Sequence, residues 1–373
     1  MTRVFLALLL LSNVLLRAQN AVDYLDAANQ GDAYAQYYLG RCYENGQGIV
    51  QDYEQAVYWY TKAADQGNAD AQNALSYCYF NGNGVSQNYE QAFYWSFKAA
   101  NQGNADAQSN LGYCYEMGYG IAQDYEQALL WYTKAANQGN AKAQNNVGIC
   151  YDYGHGVTQD YEQAVYWYAK AANQGNAIAQ CNLGHCYRKG PDAIQDYEQA
   201  VYWYTKAANQ GDADAQYNLG VCYENGHGTP QDYEQAVYWY TQAANQGDAR
   251  AQSVLSICYY NGNGVSRDYG QTFYWCSLAA NQGYAEAQNN LGFSYYNGVG
   301  VVKDFKKAIY WYTKAADQGY ADAQFNIGVC YELGHGVNED FGKAIYWYNK
   351  VIQNPTVSEE TKQKAEKAIR DLK

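Results

Sequence analysis

Ala33-Tyr34-Ala35-Gln36-Tyr37-Tyr38-Leu39-Gly40-Arg41-Cys42-Tyr43-Glu44-Asn45, followed by Gly46-Gln47-Gly48 and then by Asp52-Tyr53-Glu54-Gln55-Ala56, decides how this chain folds, because it recurs. Trp59, Trp95, Trp131, Trp167, Trp203, Trp239, Trp275, Trp311 and Trp347 stand 36 residues apart and are all the tryptophans of the chain. The same register aligns nine tandem units that begin at Ala33, Ala69, Ala105, Ala141, Ala177, Ala213, Ala249, Ala285 and Ala321. Self-similarity at such a period marks a repeat array, in which each unit buries its apolar face against its neighbours.

Each unit reads as two helices. The first spans Ala33 to Asn45 in the opening copy, and the small Ala33, Ala35 and Gly40 let helices pack at about 8–10 Å. Gly46-Gln47-Gly48 ends it, since glycine accepts the positive φ of a C-terminal cap at little cost. The second helix starts at Asp52, whose carboxylate can accept from free backbone N–H groups, with Gln55 at the capping-box position. Ala56, Trp59, Ala63 and Ala64 share one face, and the helix stops at Gly67. Asn68, like Asp32 before it, is placed to cap the next first helix, so hairpins join without linkers. Residues 21–32 read as an N-terminal half-repeat cap, 33–356 as the nine repeats and 357–373 as a C-terminal capping helix. That last helix carries Ala365, Ala368, Ile369 and Leu372 on one side, with Thr356 and Glu359 as its expected capping box. The expected fold class is all-α.

The 44 Tyr and nine Trp, against three Pro, supply ample apolar packing material and exclude a disordered chain. Residues 1–20 read as a signal peptide, with Arg3 near the start and an apolar stretch, Val4 to Leu16, shorter than the roughly 20 residues that span a bilayer. The mature protein is therefore expected to be secreted or periplasmic, with no integral membrane segment after signal cleavage. Removing Arg3 and Arg17 with the signal takes the formal charge from −13 to −15, so phosphate backbones are repelled and nucleic acid is a poor partner. The one Asn-x-Thr context, Asn354-Pro355-Thr356, is disqualified as a glycan acceptor by Pro355, which favours a bacterial envelope.

The pattern Ala-x-Ala-Gln-x-x-Leu-Gly-x-x-Tyr-x-x-Gly-x-Gly, then Asp, Ala, Trp, Ala-Ala and Gly, resembles the Sel-1-like repeat (SLR) family, relatives of the tetratricopeptide repeats, from residue 33 to about 356. Ala33, Gln36, Tyr43, Gly46 and Trp59 have identical counterparts in every unit. The departures are Ser76 and Ser256 where Gly40 stands, Asp192 where Gly48 stands, and a divergent end after Lys350; they bear on local loop geometry, not on the fold. The resemblance implies a right-handed α-solenoid (superhelix) of nine 36-residue helix-turn-helix repeats, with the first helices lining its inner face. It also implies work as an adaptor in protein complexes.

Residues that bear chemistry fit the repeat instead. Cys42, Cys78, Cys114, Cys150, Cys186, Cys222, Cys258 and Cys330 share one position, with Ser294 in the remaining copy. Helices about 8–10 Å apart leave such residues too distant for a disulfide ladder, so they read as small buried apolar groups. Cys181 and Cys276 stand outside the pattern, and either could pair with a neighbour. Cys181 and His185 lie one helical turn apart, but two ligands make no structural zinc site, and no metal or cofactor is expected. His155, His227 and His335 lie between the loop glycines and read as solvated. Asp52 and Glu54 recur as a helix start and not as an acid–base pair, the Gly-x-Gly loops lack the lysine of a phosphate loop, and no Ser-x-x-Lys occurs. No catalytic residue is expected.

Positions that vary between copies are free for recognition. Counting Ala33 as position 1, these are positions 2, 5, 9 and 12 of each first helix, which at about 100° per residue fall in a stripe about 80° wide. The stripe holds Tyr34, Tyr37, Arg41, Tyr77, Phe80, Tyr113, Ile149, His185, Tyr217, Arg250, Tyr260, Phe293, Tyr296 and Phe325, aromatic groups among acids. It suits a protein or peptide partner with apolar and basic side chains. The expected function is an exported scaffold that binds proteins through this stripe; a cell-wall-related or β-lactamase-like enzyme of the cysteine-containing SLR type, or a glycan-binding module, is the alternative. The recurring Trp column shares a face with Ala56, Ala63 and Ala64 and reads as core.

Overall fold

The computed structural model describes residues 21–191, 194–355 and 357–372; the segment 1–20, Asp192 and Thr356 lie outside the described residues. Among the described residues there are 20 helices and no strand. The first repeat is Ala33–Asn45 and Tyr53–Asp65, and the pattern continues to Ala321–Leu333 and Phe341–Gln353. The chain divides between Ala179 and Gln180 into two compact units.

Capping chemistry sets these boundaries. Asp32 accepts from the Ala35 amide at 2.7 Å, Asn68 from that of Ala71 and Asp52 from that of Gln55. The capping box expected of Gln55 is not completed in its usual form, because the Asp52 N–H donates to the Tyr43 carbonyl at 2.9 Å, across the hairpin. Gly46, at φ 68°, donates its N–H to Cys42 O and closes the first helix. Gly84, at φ +70°, sits so near the preceding repeat that a methyl group there would lie 2.1 Å from the Tyr53 carbonyl oxygen, so only glycine fits.

The invariant glutamine of each first helix is buried, and its position explains why it never varies. Gln72 Nε2 donates to the Ala64 carbonyl at 3.0 Å, while its Oε1 accepts from Gln102 Nε2 at 2.8 Å. In the second unit Gln252 does the same with Ala244 and Gln282. A buried amide with both ends satisfied joins three successive helices, and removing either end would strand a polar group. Around this ladder lie the apolar clusters. Trp131, for example, packs on Ala99, Ala100, Ala107 and Leu111 of the neighbouring helices.

The helix Ala21–Asn29 covers the first repeat with Ala21, Tyr24 and Ala28 against Leu39 and Cys42. At the other end Glu359–Asp371 buries Ala365 and Ile369 on Tyr348 and Val351. Its cap is Ser358, which accepts from the Thr361 amide, and not the expected Thr356–Glu359 pair; the chain turns two residues later than that pattern requires. No described helix is long and apolar enough to cross a membrane.

Candidate docking surface

Seven repeats carry the same buried lock. The ring of Tyr132 is fully buried on Gly112, so close that a methyl group on that glycine would meet Cδ1 at 2.6 Å, and its hydroxyl donates to Glu116 at 2.5 Å. Tyr60 on Gly40 donates to Glu44, Tyr168 on Gly148 to Asp152, Tyr240 on Gly220 to Glu224, and Tyr348 on Gly328 to Glu332. Tyr204 lies on Gly184 with Arg188 and His185 at its oxygen, and Tyr312 lies on Gly292. Burial first, then the carboxylate, pushes the Tyr60 and Tyr240 hydroxyls far above the ordinary phenol range.

Against that lock the stripe divides. Tyr37, Tyr217 and Phe325, at position 5, pack on Tyr60, Tyr240 and Tyr348 with ring centroids 5.9, 5.8 and 5.2 Å apart. Position 5 thus borders the core, and where it is Ser109 or Ser253 it is buried. His185 and Tyr296 are likewise half-buried, the first on Tyr204 and the second on Phe305 and His335, and Ile149 is half-buried. Tyr34, Arg41, Tyr77, Tyr260 and Phe293 face solvent, with Tyr77 54% exposed. In the first unit Phe80 and Tyr113 meet at 6.1 Å, and Tyr119 joins both. In the second unit Tyr260 and Phe293 meet at 6.0 Å.

Two features escaped the comparison of copies. Tyr58 recurs in eight of nine repeats and yet is exposed, as are Tyr94, Tyr166, Tyr202, Tyr238, Tyr274, Tyr310 and Tyr346, so recurrence does not always mean packing. Its ring stands on edge against Trp59, and the Lys62 ammonium lies 4.7 Å from its centre. The second feature is the paired loss of the lock. In repeat two Ser76 replaces the glycine, Ser96 the tyrosine and Phe80 the acid; in repeat seven Ser256, Cys276 and Tyr260 do so. Ser76 and Ser256 are helical, so they alter the core and not the loops. Each of these repeats holds a cavity where the ring lies elsewhere, of about 110 Å³ beside Ser96 and about 280 Å³ beside Cys276. The signal was in the sequence, in the glycine and tyrosine departures that fall in the same two copies.

All ten cysteines are buried and none forms a disulfide, Cys181 and Cys276 included. Burial pushes the thiols of Cys114 and Cys222 up to about 11 and that of Cys276 up to about 12, so these are protonated at neutral pH. The structure brings Asp214 to Cys181 and His185, with potential ligand atoms within 4.8 Å. The Arg250 guanidinium, however, holds Asp214 and Asp248 together. His185, whose Nε2 stands 3.8 Å from the carboxylate, and then Arg250 keep the Asp214 carboxyl well below its usual range. An ion already supplied by the chain therefore occupies the carboxylate. The loop histidines are not simply solvated: His155 stacks on Tyr125 at 4.8 Å, His227 on Tyr197 and His335 on Phe305, each tying a loop to the preceding repeat.

Tandem helical hairpins held by recurrent buried pairs define the class of helical-repeat solenoids. The Sel1 repeat model matches residues 33–68, 69–104, 105–140, 141–176, 177–212, 213–248, 249–284, 285–320 and 321–353, and the chain belongs to that family. Among solved structures, a protective antigen of uropathogenic Escherichia coli with an SLR fold is similar at 35% identity and a TM-score of 0.78, over 94% of this chain and 78% of that one. A Sel1 repeat protein from Oxalobacter formigenes is 34% identical with a TM-score of 0.64, over 80% of this chain and 88% of its own. No curated protein matches.

Proposed function

We propose that the protein is an exported scaffold that docks protein or peptide partners on the exposed part of its first-helix stripe. The observation that carries this reading is the pairing of variable aromatics across adjacent repeats, Phe80 with Tyr113 and Tyr260 with Phe293. Aromatic groups that present large rigid area at little entropic cost are the usual anchors of protein recognition. A formal charge of −13 selects basic partners, which electrostatic attraction also gathers faster. The similarity to an antigen of a uropathogen supports an envelope or extracellular setting.

The test is affinity capture from the cell's own envelope and medium, with the mature chain beside a variant in which Tyr77, Tyr113, Tyr260 and Phe293 are serine. Capture by the wild type alone, with both proteins equally helical, is the expected result. Identical captures from both would overturn the surface assignment.

A further inference from the structure

The two repeats without the lock lose it in the same way. Eight lining positions of the first-unit cavity recur in the second-unit one, among them Ser76 as Ser256, Phe80 as Tyr260, Ser96 as Cys276, Tyr113 as Phe293 and Cys114 as Ser294. A tyrosine deleted by chance would leave its glycine behind. Here glycine and tyrosine change together, twice, and the seat stays open, whereas the acid also varies where the lock is kept, as Arg188 and Tyr296 show. The larger cavity also departs from the other copies at two more points, Thr272 where alanine stands and Ser294 where cysteine stands.

The floor of that cavity has a definite hydrogen-bond sense. Ser256 donates to the Ser253 carbonyl at 2.7 Å, Thr272 to that of Asp268 at 2.9 Å and Ser294 to that of Asn290 at 2.9 Å, while the Cys276 thiol donates to the Ala287 carbonyl at 3.2 Å. The protons of these four side chains are engaged by the backbone, so their lone pairs remain and this part of the floor accepts, while Asn290, which also lines the cavity, brings an amide donor of its own. Tyr260 and Phe293 form apolar walls, and the Glu286 carboxyl, itself an acceptor when ionised, stands at the edge. A volume of about 280 Å³ exceeds the roughly 150 Å³ in which an apolar cavity holds benzene, whereas about 110 Å³ falls short of it.

We infer that the cavity between Ser256 and Cys276 is a side-chain pocket for one aromatic residue that carries a hydrogen-bond donor, a tyrosine or tryptophan, of a bound peptide. Seven other repeats of this chain seat such a ring in the equivalent place, which supplies the shape of the ligand. The peptide source of the ring rests on the scaffold reading above; the pocket itself does not.

The probes are p-cresol and indole, which mimic the two side chains, with toluene as the donor-free control, each titrated into the full chain and followed by ligand-observed nuclear magnetic resonance. Saturable binding of p-cresol or indole is expected, with toluene about five- to tenfold weaker. Ser256→Gly with Cys276→Tyr closes the pocket with the chain's own ring, in the arrangement that Gly292, Tyr296 and Tyr312 already show in the next repeat, and should abolish binding. Ser294→Leu fills the same space from the neighbouring helix and decides the matter if the double variant misfolds. No binding to the wild type, undiminished binding to a folded filled variant, or toluene binding as tightly as p-cresol overturns the proposal. Probe binding beside a failed partner capture would sink the scaffold reading and leave the pocket standing; the reverse pattern would do the opposite.

Discussion

Gly112→Ala should change the sign of its effect when Tyr132 is removed. In an otherwise wild-type helix, exchanging an interior glycine for alanine stabilises by about 1 kcal/mol. Here the new methyl group would stand 2.6 and 2.7 Å from Cδ1 and Cε1 of a ring that is fully buried and tied through its hydroxyl to Glu116, so the ring has nowhere to go. Overpacking of that kind costs about 1–3 kcal/mol, and the rigid neighbour argues for the upper end, leaving a net loss of about 2 kcal/mol. Tyr132→Ser alone should cost on the order of 3–5 kcal/mol for the vacated volume, with the Glu116 carboxylate losing its donor as well. On that background Gly112→Ala meets an opening and should stabilise by about 1 kcal/mol, a coupling of about 3 kcal/mol in the double-mutant cycle. Urea melts followed by circular dichroism read the sign of each midpoint shift, which survives even where coupled repeats unfold in stages. If Gly112→Ala moves the midpoint the same way in both backgrounds, glycine and ring do not share that space, and the origin assigned to the two cavities falls with it.

Trp131→Ala should cost about 3–5 kcal/mol, because the ring is buried among Ala99, Ala100, Ala107 and Leu111; a loss under about 1 kcal/mol in the same melts would return the tryptophans to the surface. All ten thiols should resist a maleimide while the protein is native and react once it is denatured, as burial and raised pKa values require, and fast native labelling would contradict the packing of the cysteine column. Asp214→Asn should lower the melting temperature at neutral pH. A carboxyl depressed in the folded state contributes stability above its unfolded pKa of about 3.9 and loses it as pH falls below that, so the gap between variant and wild type should close in acid; a gap independent of pH refutes the ion-pair reading.

Helix limits were legible in the sequence because they depend on local chemistry. A cap at Asp32, Asn68 or Asp52 and a glycine at Gly46 each act within one turn; the second-helix cap and the glycine recur in all nine copies, the first-helix cap in all but the last two, where Tyr284 and Tyr320 stand. The docking stripe was only partly legible. Variation between copies located it, but position 5 reaches the tyrosine lock of its own hairpin, and whether Tyr37 points to core or solvent depends on Tyr60, which lies on the other helix. The exposed Tyr58 column shows the converse. Its recurrence fits the Trp59 and Lys62 that its ring touches and not burial, and periodicity alone does not separate the two.

The cavities also raise the question of how two repeats keep their fold without the lock. The answer lies in the ladder, which they retain whole. In repeat two Gln72 still bridges Ala64 and Gln102, and Asn88 still caps the second helix at the Gln91 amide; in repeat seven Gln252 and Asp268 do the same. Adjacent repeats hold their own tyrosines on Gly40, Gly112, Gly220 and Gly292. In an array stabilised by nearest neighbours, a weakened unit is held by the units on either side. Deleting the lock from repeat three, beside a repeat two that already lacks it, by Gly112→Ser with Tyr132→Ser, should therefore cost more than the same change made between two intact neighbours, as in repeat four at Gly148 and Tyr168. Equal urea-midpoint losses at the two places would mean that each hairpin stands alone, and that the open seats in repeats two and seven owe nothing to their neighbours.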